Sequence, residues 1–276
     1  MRKADDLAQR NEPAPLDPRL LDEVTLIASQ AAAAILSVHG SALSKRDKAD
    51  GSPVTAADEA SEKIILDGLS RLLPDAPVVS EESALPAPAT LGERFFLVDP
   101  LDGTREFIAG ESEYTVNIAL IAGGRPMAGI ITAPALATVW RGIVGQGAER
   151  MKLQPGAAVD RATERAAIRT RPKPQTGLVA MTSRSHPDPA TAAYLEKISG
   201  VQRNVSGSSL KFCRIAEGTA DIYPRLVSLS EWDTAAGHAL VVAAGGTVTT
   251  VDGQPLTYGR PDFRAPPFIA WGAAPA

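Results

Sequence analysis

A single cysteine, Cys213, among 276 residues leaves no intramolecular disulfide and no cysteine-based zinc cluster to consider. That is consistent with a reducing compartment, and helix packing is the expected role of the thiol. The three histidines, His39, His186 and His238, show no HxxxH spacing, and no GxSxG elbow occurs, so zinc-protease and serine-hydrolase readings lose ground. Positive charge is also short. With 28 Lys and Arg against 32 Asp and Glu, the net charge is −4, whereas a surface that tracks a nucleic-acid polymer needs the opposite balance. Any anionic ligand must therefore be met by local charge. No uninterrupted apolar run approaches the ~18 to 20 residues that span a bilayer. The longest, around Ala31 to Leu36, is short, so no transmembrane segment is expected. The first dozen residues carry Arg2, Lys3, Asp5, Asp6, Arg10 and Glu12 and no apolar signal core. Residues 1–16 are expected to form a mobile tail on a cytoplasmic protein.

What remains is ordinary globular composition, 44% hydrophobic and 22% charged, enough for a sizeable core. Asp17 before Pro18 reads as a helix cap with proline in the first turn, followed by Leu20, Val24, Ile27, Ala31, Ile35 and Val38 at helical spacing; Gly40 would stop this helix. After a polar loop from Ser44 to Pro53, Thr55 and Asp58 give a capping-box start to a second helix ending before Pro74. Short strands are expected at Val78-Val79 and Phe95 to Val98, each running into acids. Val116 to Ala122, Met127 to Ile131 and Thr138 to Val144 follow as an antiparallel set, the first turn being Gly123-Gly124-Arg125-Pro126. Farther on, strands near Leu178 to Met181, Val201 to Val205 and Asp221 to Leu226 alternate with helices near Pro189 to Ile198, Ser209 to Glu217 and Thr234 to Ala244. The chain is thus mixed α/β. Leu85 to Thr90 and Lys152 to Pro174 read as loops or linkers, the second separating a half at 17–150 from a half at 151–276.

Three acidic elements stand out. In Asp99-Pro-Leu-Asp-Gly-Thr104 a buried-type strand runs into two aspartates three apart, and Gly103 and Thr104 can offer backbone N–H groups to phosphate oxygens. By itself this could be only a turn. Glu81-Glu82 could be only a solvated pair, and Asp233 in Trp232-Asp-Thr-Ala-Ala-Gly237 only a helix cap. Together they describe a site, because converging carboxylates repel unless cations neutralise them, and hard divalent cations take oxygen ligands. Two such ions suit in-line hydrolysis by an activated water. A phosphatase with an aspartyl-phosphate intermediate would be expected to place its aspartates two apart, not three.

These segments, in this order, resemble the inositol monophosphatase superfamily, whose signature combines Glu-Glu, DPxDGT and WDxAG. The resemblance spans most of residues 17 to 272. It is closest to the superfamily's bacterial CysQ-type 3'(2'),5'-bisphosphate nucleotidases, through Asp99 to Phe107, Ser206 to Cys213, Tyr223-Pro-Arg225 and Glu231 to His238. It implies a layered αβαβα sandwich of the inositol monophosphatase and fructose-1,6-bisphosphatase type. The N-terminal half would carry most of the metal ligands, and the C-terminal half substrate recognition and the last ligand. Glu81, Asp99 and the Leu101 carbonyl would hold one Mg2+, and Asp99, Asp102 and Asp233 another, with two or three ions in all. Asp58, Thr104 and Glu81 would be the catalytic residues, with Asp58 and Thr104 orienting or activating the water. Asp102, Gly103, Thr104 and Asp233 would also contact substrate. The Ser183-Arg184-Ser185-His186 run, Ser208, Lys211 and Arg225 would recognise the nucleotide and its second phosphate; Lys211 adds charge at a helix start and Arg225 a two-pronged contact.

The implied reaction removes the 3'-phosphate of 3'-phosphoadenosine 5'-phosphate, with action on the 5'-phosphosulfate analogue, a place in sulfur metabolism and inhibition by lithium. The partner is a small phosphorylated molecule, the assembly a monomer or homodimer, and the setting the cytoplasm, with peripheral contact at the inner membrane face left open. The alternatives are an inositol or sugar phosphate phosphatase and a catalytically silent metal- or nucleotide-binding protein.

Overall fold

Residues 16–38, 46–47, 53–83 and 91–272 are described in a computed structural model of the chain. The expected tail up to residue 15, His39, Gly40 and the Leu85–Thr90 loop lie outside the described residues. At the start of helix α1 (Pro18–Val38), Asp17 Oδ1 accepts the Arg19 N–H at 2.9 Å, the cap that the Asp-Pro start predicts. Leu21, Val24, Ala28, Ala31 and Ile35 recur on its buried face. By length and composition alone, α1 is long and apolar enough to cross a membrane, a test that the core helix of a globular domain also passes. Thr25 and Ser29 break the run without making the helix polar, and half of its most apolar stretch is buried inside the protein.

Within the loop expected from Ser44 to Pro53, β1 (Arg46–Asp47) pairs with β2 (Pro53–Val54). Helix α2 (Ala56–Leu72) starts at the Thr55–Asp58 capping box and lies close against α1. A Cβ on Gly68 would come within 2.8 Å of Ile27. Then follow β3 (Val78–Ser80), β4 (Arg94–Asp102), the single-turn α3 (Thr104–Ile108), β5 (Thr115–Ala122), β6 (Arg125–Ala133), β7 (Thr138–Ile143), β8 (Gly147–Lys152) and β9 (Thr163–Ile168). These strands form a seven-stranded sheet in sequence order, β3 parallel to β4 and every other pair antiparallel. The stretch read as a linker from Lys152 to Pro174 thus contributes β9, beyond residue 150. Its sequence, Thr-Glu-Arg-Ala-Ala-Ile, is exposed along nearly its whole length, so no apolar alternation marks it.

A second sheet, ordered β11-β10-β12-β16-β14, uses β10 (Val179–Ser183), β11 (Gln202–Ser206), β12 (Ile222–Arg225), β14 (Thr247–Thr250) and β16 (Phe268–Trp271). Helices α4 (Pro189–Glu196), α5 (Leu210–Ala216) and α6 (Glu231–Ala243) accompany it, and β13 (Leu229–Ser230) pairs with β15 (Arg264–Ala265). Helix α6 begins three residues before the expected Thr234 because Ser230 caps it.

The layers follow from burial. Leu21, Ile35, Ile65 and Leu69 of α1 and α2 pack on Phe96, Val98, Ile118 and Ile130 of the first sheet. On that sheet's other face, Leu97, Ile121 and Ile131 meet Phe212 and Cys213 of α5 and Leu240 of α6, and Tyr223 and Phe268 of the second sheet close this layer. Leu195 of α4 covers the far side with Ala180, Ile222 and Ile269. The order is α, β, α, β, α. Small residues make the middle layer possible: a Cβ on Gly129 would lie 2.3 Å from the Ala236 carbonyl oxygen, and one on Gly237 2.2 Å from the Phe212 ring.

Candidate active site

The parallel pair β3 and β4 delivers Glu81 and Asp99 side by side, since Ser80 registers with Val98. Between Asp99 and Asp102 the register with β5 shifts, a bulge that turns the strand end toward the site. Asp99 Oδ1 accepts the Leu101 N–H at 3.0 Å, and Gly103 takes φ +92 to close the turn. Only glycine fits there, because a Cβ would also meet the Glu113 carbonyl oxygen at 3.2 Å. Ser61 Oγ of α2 donates to the Pro100 carbonyl at 2.7 Å, pinning the turn to the first helical layer.

Asp233 arrives from the other half. It occupies the third position of α6, and its Oδ2 accepts the Ser230 N–H at 3.0 Å. Carboxylate oxygens of Glu81, Asp99 and Asp233 all lie within 4.8 Å of one another. Asp102 lines the same cleft but stands outside this trio. Its Oδ2 accepts from Ser209 Oγ at 2.8 Å and Asn117 Nδ2 at 3.3 Å. Burial pushes Asp99 and Asp233 well above the usual carboxylate range, and charge repulsion adds to it, from Glu81 and Asp102 at both and from Asp233 at Asp99. Burial also raises Asp102, although Lys211, Ser209 and Asn117 oppose it. An all-oxygen, mutually repelling set fits a hard divalent cation.

Asp58 meets the capping residue with one oxygen and Thr104 with the other. Its Oδ2 accepts from Thr55 N and Oγ1, each at 2.7 Å, as the capping box requires, and its Oδ1 lies 3.2 Å from Thr104 Oγ1. Thr104 Oγ1 is also 3.2 Å from the Leu101 carbonyl oxygen, so its single proton serves one acceptor at a time. Asp58 is raised by burial, against the donors from Thr55 and Thr104.

His186, Ser208, Lys211 and Arg225, expected to recognise the substrate, line the same cleft of about 280 Å³. Lys211 is buried; its ammonium donates to the Ser206 carbonyl at 3.3 Å and, in a short contact, to the Ser208 carbonyl, leaving one donor for a ligand. Burial lowers its pKa to about 8, with Asp102 pulling the other way. Arg225 gives one Nη1 bond to the His186 carbonyl at 2.8 Å, and its buried Nε has no partner. Ser208 Oγ is likewise buried without a partner, on a residue held at φ +44. Burial, then the nearby Arg105 and Arg225, lower the His186 pKa. Arg184 departs from the expectation. It does not line the cleft, because Glu113 holds its guanidinium at 2.7 and 3.1 Å.

Sequence reasoning missed Asn117 and Ser209, which bridge Asp102 to the second half through a 2.9 Å bond. A polar residue inside the apolar run Val116 to Ala122 is the available signal for Asn117. Glu106, buried in the cleft wall and accepting a short bond from Ser185 Oγ, was also missed as a site residue.

The inositol monophosphatase family profile matches residues 20–274. The 3'(2'),5'-bisphosphate nucleotidase CysQ of Escherichia coli K12 is 41% identical over 90% of this chain and 98% of its own length. That of Buchnera aphidicola is 38% identical over 87% and 88%. Among solved structures, CysQ from Bacteroides thetaiotaomicron, described as a bacterial member of the inositol monophosphatase family, superposes with a TM-score of 0.79 at 35% identity, covering 90% of this chain and 95% of that one. An inositol monophosphatase from Anabaena gives 0.72 at 28% identity, over 93% and 91%. Acidic site, layered fold and a profile match running from the first helix to the last strand agree, and the chain belongs to the inositol monophosphatase family.

Proposed function

We propose that this chain is a magnesium-dependent 3'(2'),5'-bisphosphate nucleotidase that removes the 3'-phosphate of 3'-phosphoadenosine 5'-phosphate, giving AMP and phosphate. The observation that carries the substrate is the pairing, in one cleft, of the acidic trio with two buried polar atoms lacking partners, Ser208 Oγ and Arg225 Nε. A buried guanidinium nitrogen without an acceptor is unfavourable, and a second phosphate would supply that acceptor. The names of the CysQ relatives support the same substrate.

When bound, Mg2+ supplies an activated water and charge stabilisation for the leaving oxygen. Glu81, Asp99 and the Leu101 carbonyl would hold one ion, and Asp99, Asp102 and Asp233 another. Thr104, donating to Asp58, keeps its lone pairs free to accept from the attacking water. Asp58, raised by burial, is a better proton acceptor than a solvated carboxylate. Backbone N–H groups at Gly103 and Thr104 orient the phosphate, and Lys211 and Arg225 take the second one. Lithium would inhibit by replacing one of the magnesium ions.

Phosphate release is measured from 3'-phosphoadenosine 5'-phosphate, AMP and inositol 1-phosphate, with magnesium and with a chelator. Magnesium-dependent cleavage of the first alone is expected. Preference for inositol phosphate would keep the metal chemistry and overturn the substrate, and tight binding with no phosphate release would overturn the enzyme.

A further inference from the structure

The connection between α3 and β5, residues 109–114, lies outside the cleft lining, yet Glu113 touches both loops that build it. Its carbonyl oxygen would lie 3.2 Å from a Cβ on Gly103 and 2.8 Å from one on Gly207. The Glu113 backbone therefore fills the gap between the turn that follows Asp102 and the Ser206–Ser209 loop, which carries Ser208. Its carboxylate Oε2 accepts the Gly207 N–H at 2.7 Å and two guanidinium N–H groups of Arg184 at 2.7 and 3.1 Å. Arg184 in turn donates its own N–H to the Ser206 carbonyl at 3.2 Å. Glu113, the end of β10 and the end of β11 thus form a closed ring of hydrogen bonds. Burial would raise the Glu113 carboxyl, but the Gly207 and Arg184 donors prevail and hold it below the usual range. The Arg184 side chain is 42% exposed, so its ion pair contributes less than the charge-assisted bond to Gly207 and the backbone wedge.

We infer that Glu113 is a positioning residue that sets the spacing between the phosphate at the acidic trio and the second anion pocket at Ser208 and Arg225. It thereby governs preference for a bisphosphorylated over a monophosphorylated nucleotide. This rests on the nucleotidase reading. A phosphate bound at the trio alone needs no fixed distance to the Ser206–Ser209 loop, whereas a ligand held at both ends does.

The test measures kcat and KM of the full chain with magnesium on 3'-phosphoadenosine 5'-phosphate and on 3'-AMP, which lacks the second phosphate. In Glu113→Ala, kcat/KM for the bisphosphate is expected to fall about tenfold, mainly through KM, with 3'-AMP changed by less than about twofold. Glu113→Gln keeps an oxygen for the Gly207 N–H and should recover to within about threefold of wild type. Equal losses on both substrates would show a merely structural role and overturn the inference. Wild-type preference that survives Glu113→Ala overturns the inference alone, while wild type without any preference overturns the nucleotidase reading as well. Should Glu113→Ala not fold, Glu113→Asp decides: its shorter side chain draws the carboxylate back from the Gly207 N–H and Arg184, so KM for the bisphosphate is expected to rise about fivefold with 3'-AMP little changed, and an unchanged KM for the bisphosphate overturns the inference.

Discussion

The starts of α2 and α6 are built alike and do different things. Each places an aspartate at the third helical position, Asp58 after Thr55 and Asp233 after Ser230, with one carboxylate oxygen returned to the capping residue's N–H. Around Asp58 the remaining partners are donors, Thr55 and Thr104. Around Asp233 they are anions, Asp102 and Glu81, which add to burial in raising its pKa. One local device thus yields a hydrogen-bonded acceptor in the first case and a member of a mutually repelling acidic trio in the second, and the neighbours brought by the sheets decide which.

The largest expected effect separates the two caps by activity. Asp233→Asn should abolish magnesium-dependent phosphate release, while its amide oxygen still accepts the Ser230 N–H and the melting temperature is held. Asp58→Asn should lower kcat by about 10²-fold and leave magnesium affinity near wild type. Equal loss of magnesium affinity in both variants would erase the distinction.

The second test reads the anions themselves. Without a cation, Asp99 and Asp233 hold their protons to a pH well above the ordinary aspartate value of 3.8, so their contribution to stability is full below that value and is lost as pH rises through the raised values. Saturating magnesium should therefore raise the melting temperature by about 5 °C near pH 7.5, and by less near pH 5. Chelator should reverse the shift, and Asp233→Asn should shrink it. A magnesium shift of the same size at both pH values would contradict this account.

A third effect belongs to α6 but not to its cap, and must be separated from it. His238 is buried against Tyr258, 2.9 Å from its hydroxyl, and burial lowers its pKa from 6.5 to about 3. The folded state thus refuses a proton that the unfolded state accepts below pH 6.5. Stability is present above that pH and falls between about 6.5 and about 3, by at most about 1.4 kcal/mol per unit. Urea titrations of wild type and His238→Gln across this window should differ in slope, the wild type losing more stability toward low pH; parallel profiles would contradict the assignment. The smallest effect is at the capping hydroxyls. Thr55→Ala and Ser230→Ala should each cost about 1 kcal/mol, but only Thr55→Ala should also slow catalysis, by freeing Asp58.

At α6 the sequence points to Asp233 as the cap and to a start at Thr234, three residues late. The Thr55–Asp58 cap, by contrast, is legible in the amino-acid order alone, because a hydroxyl residue followed three positions later by an aspartate is a local pattern. So are the acids at the ends of Val78-Val79 and Phe95 to Val98, and the periodic faces of α1 and α2, which need only their own residues to be recognised. Other strands are not: the edge strand β9 is exposed, β8 (Gly-Ala-Glu-Arg-Met-Lys) has too few apolar residues to alternate, and β16 is only four residues long. Asn117 and Ser209 escape for another reason. Their meaning is the 2.9 Å bond between them, which crosses from the first sheet to the loop ahead of α5, 92 residues along the chain.

The amino-acid order determined the mixed α/β class, the starts of α1 and α2, the family signature and which carboxylates could ligate a metal, since each depends on spacing within a few turns or on a recognisable motif. Tertiary structure decided the rest. It gathered Glu81, Asp99 and Asp233 within 4.8 Å while leaving Asp102 to Ser209 and Asn117, and it turned Arg184 from the cleft onto Glu113. Charge and hydrogen-bond partners act over a few ångströms of space, and sequence distance says little about which groups will share those ångströms.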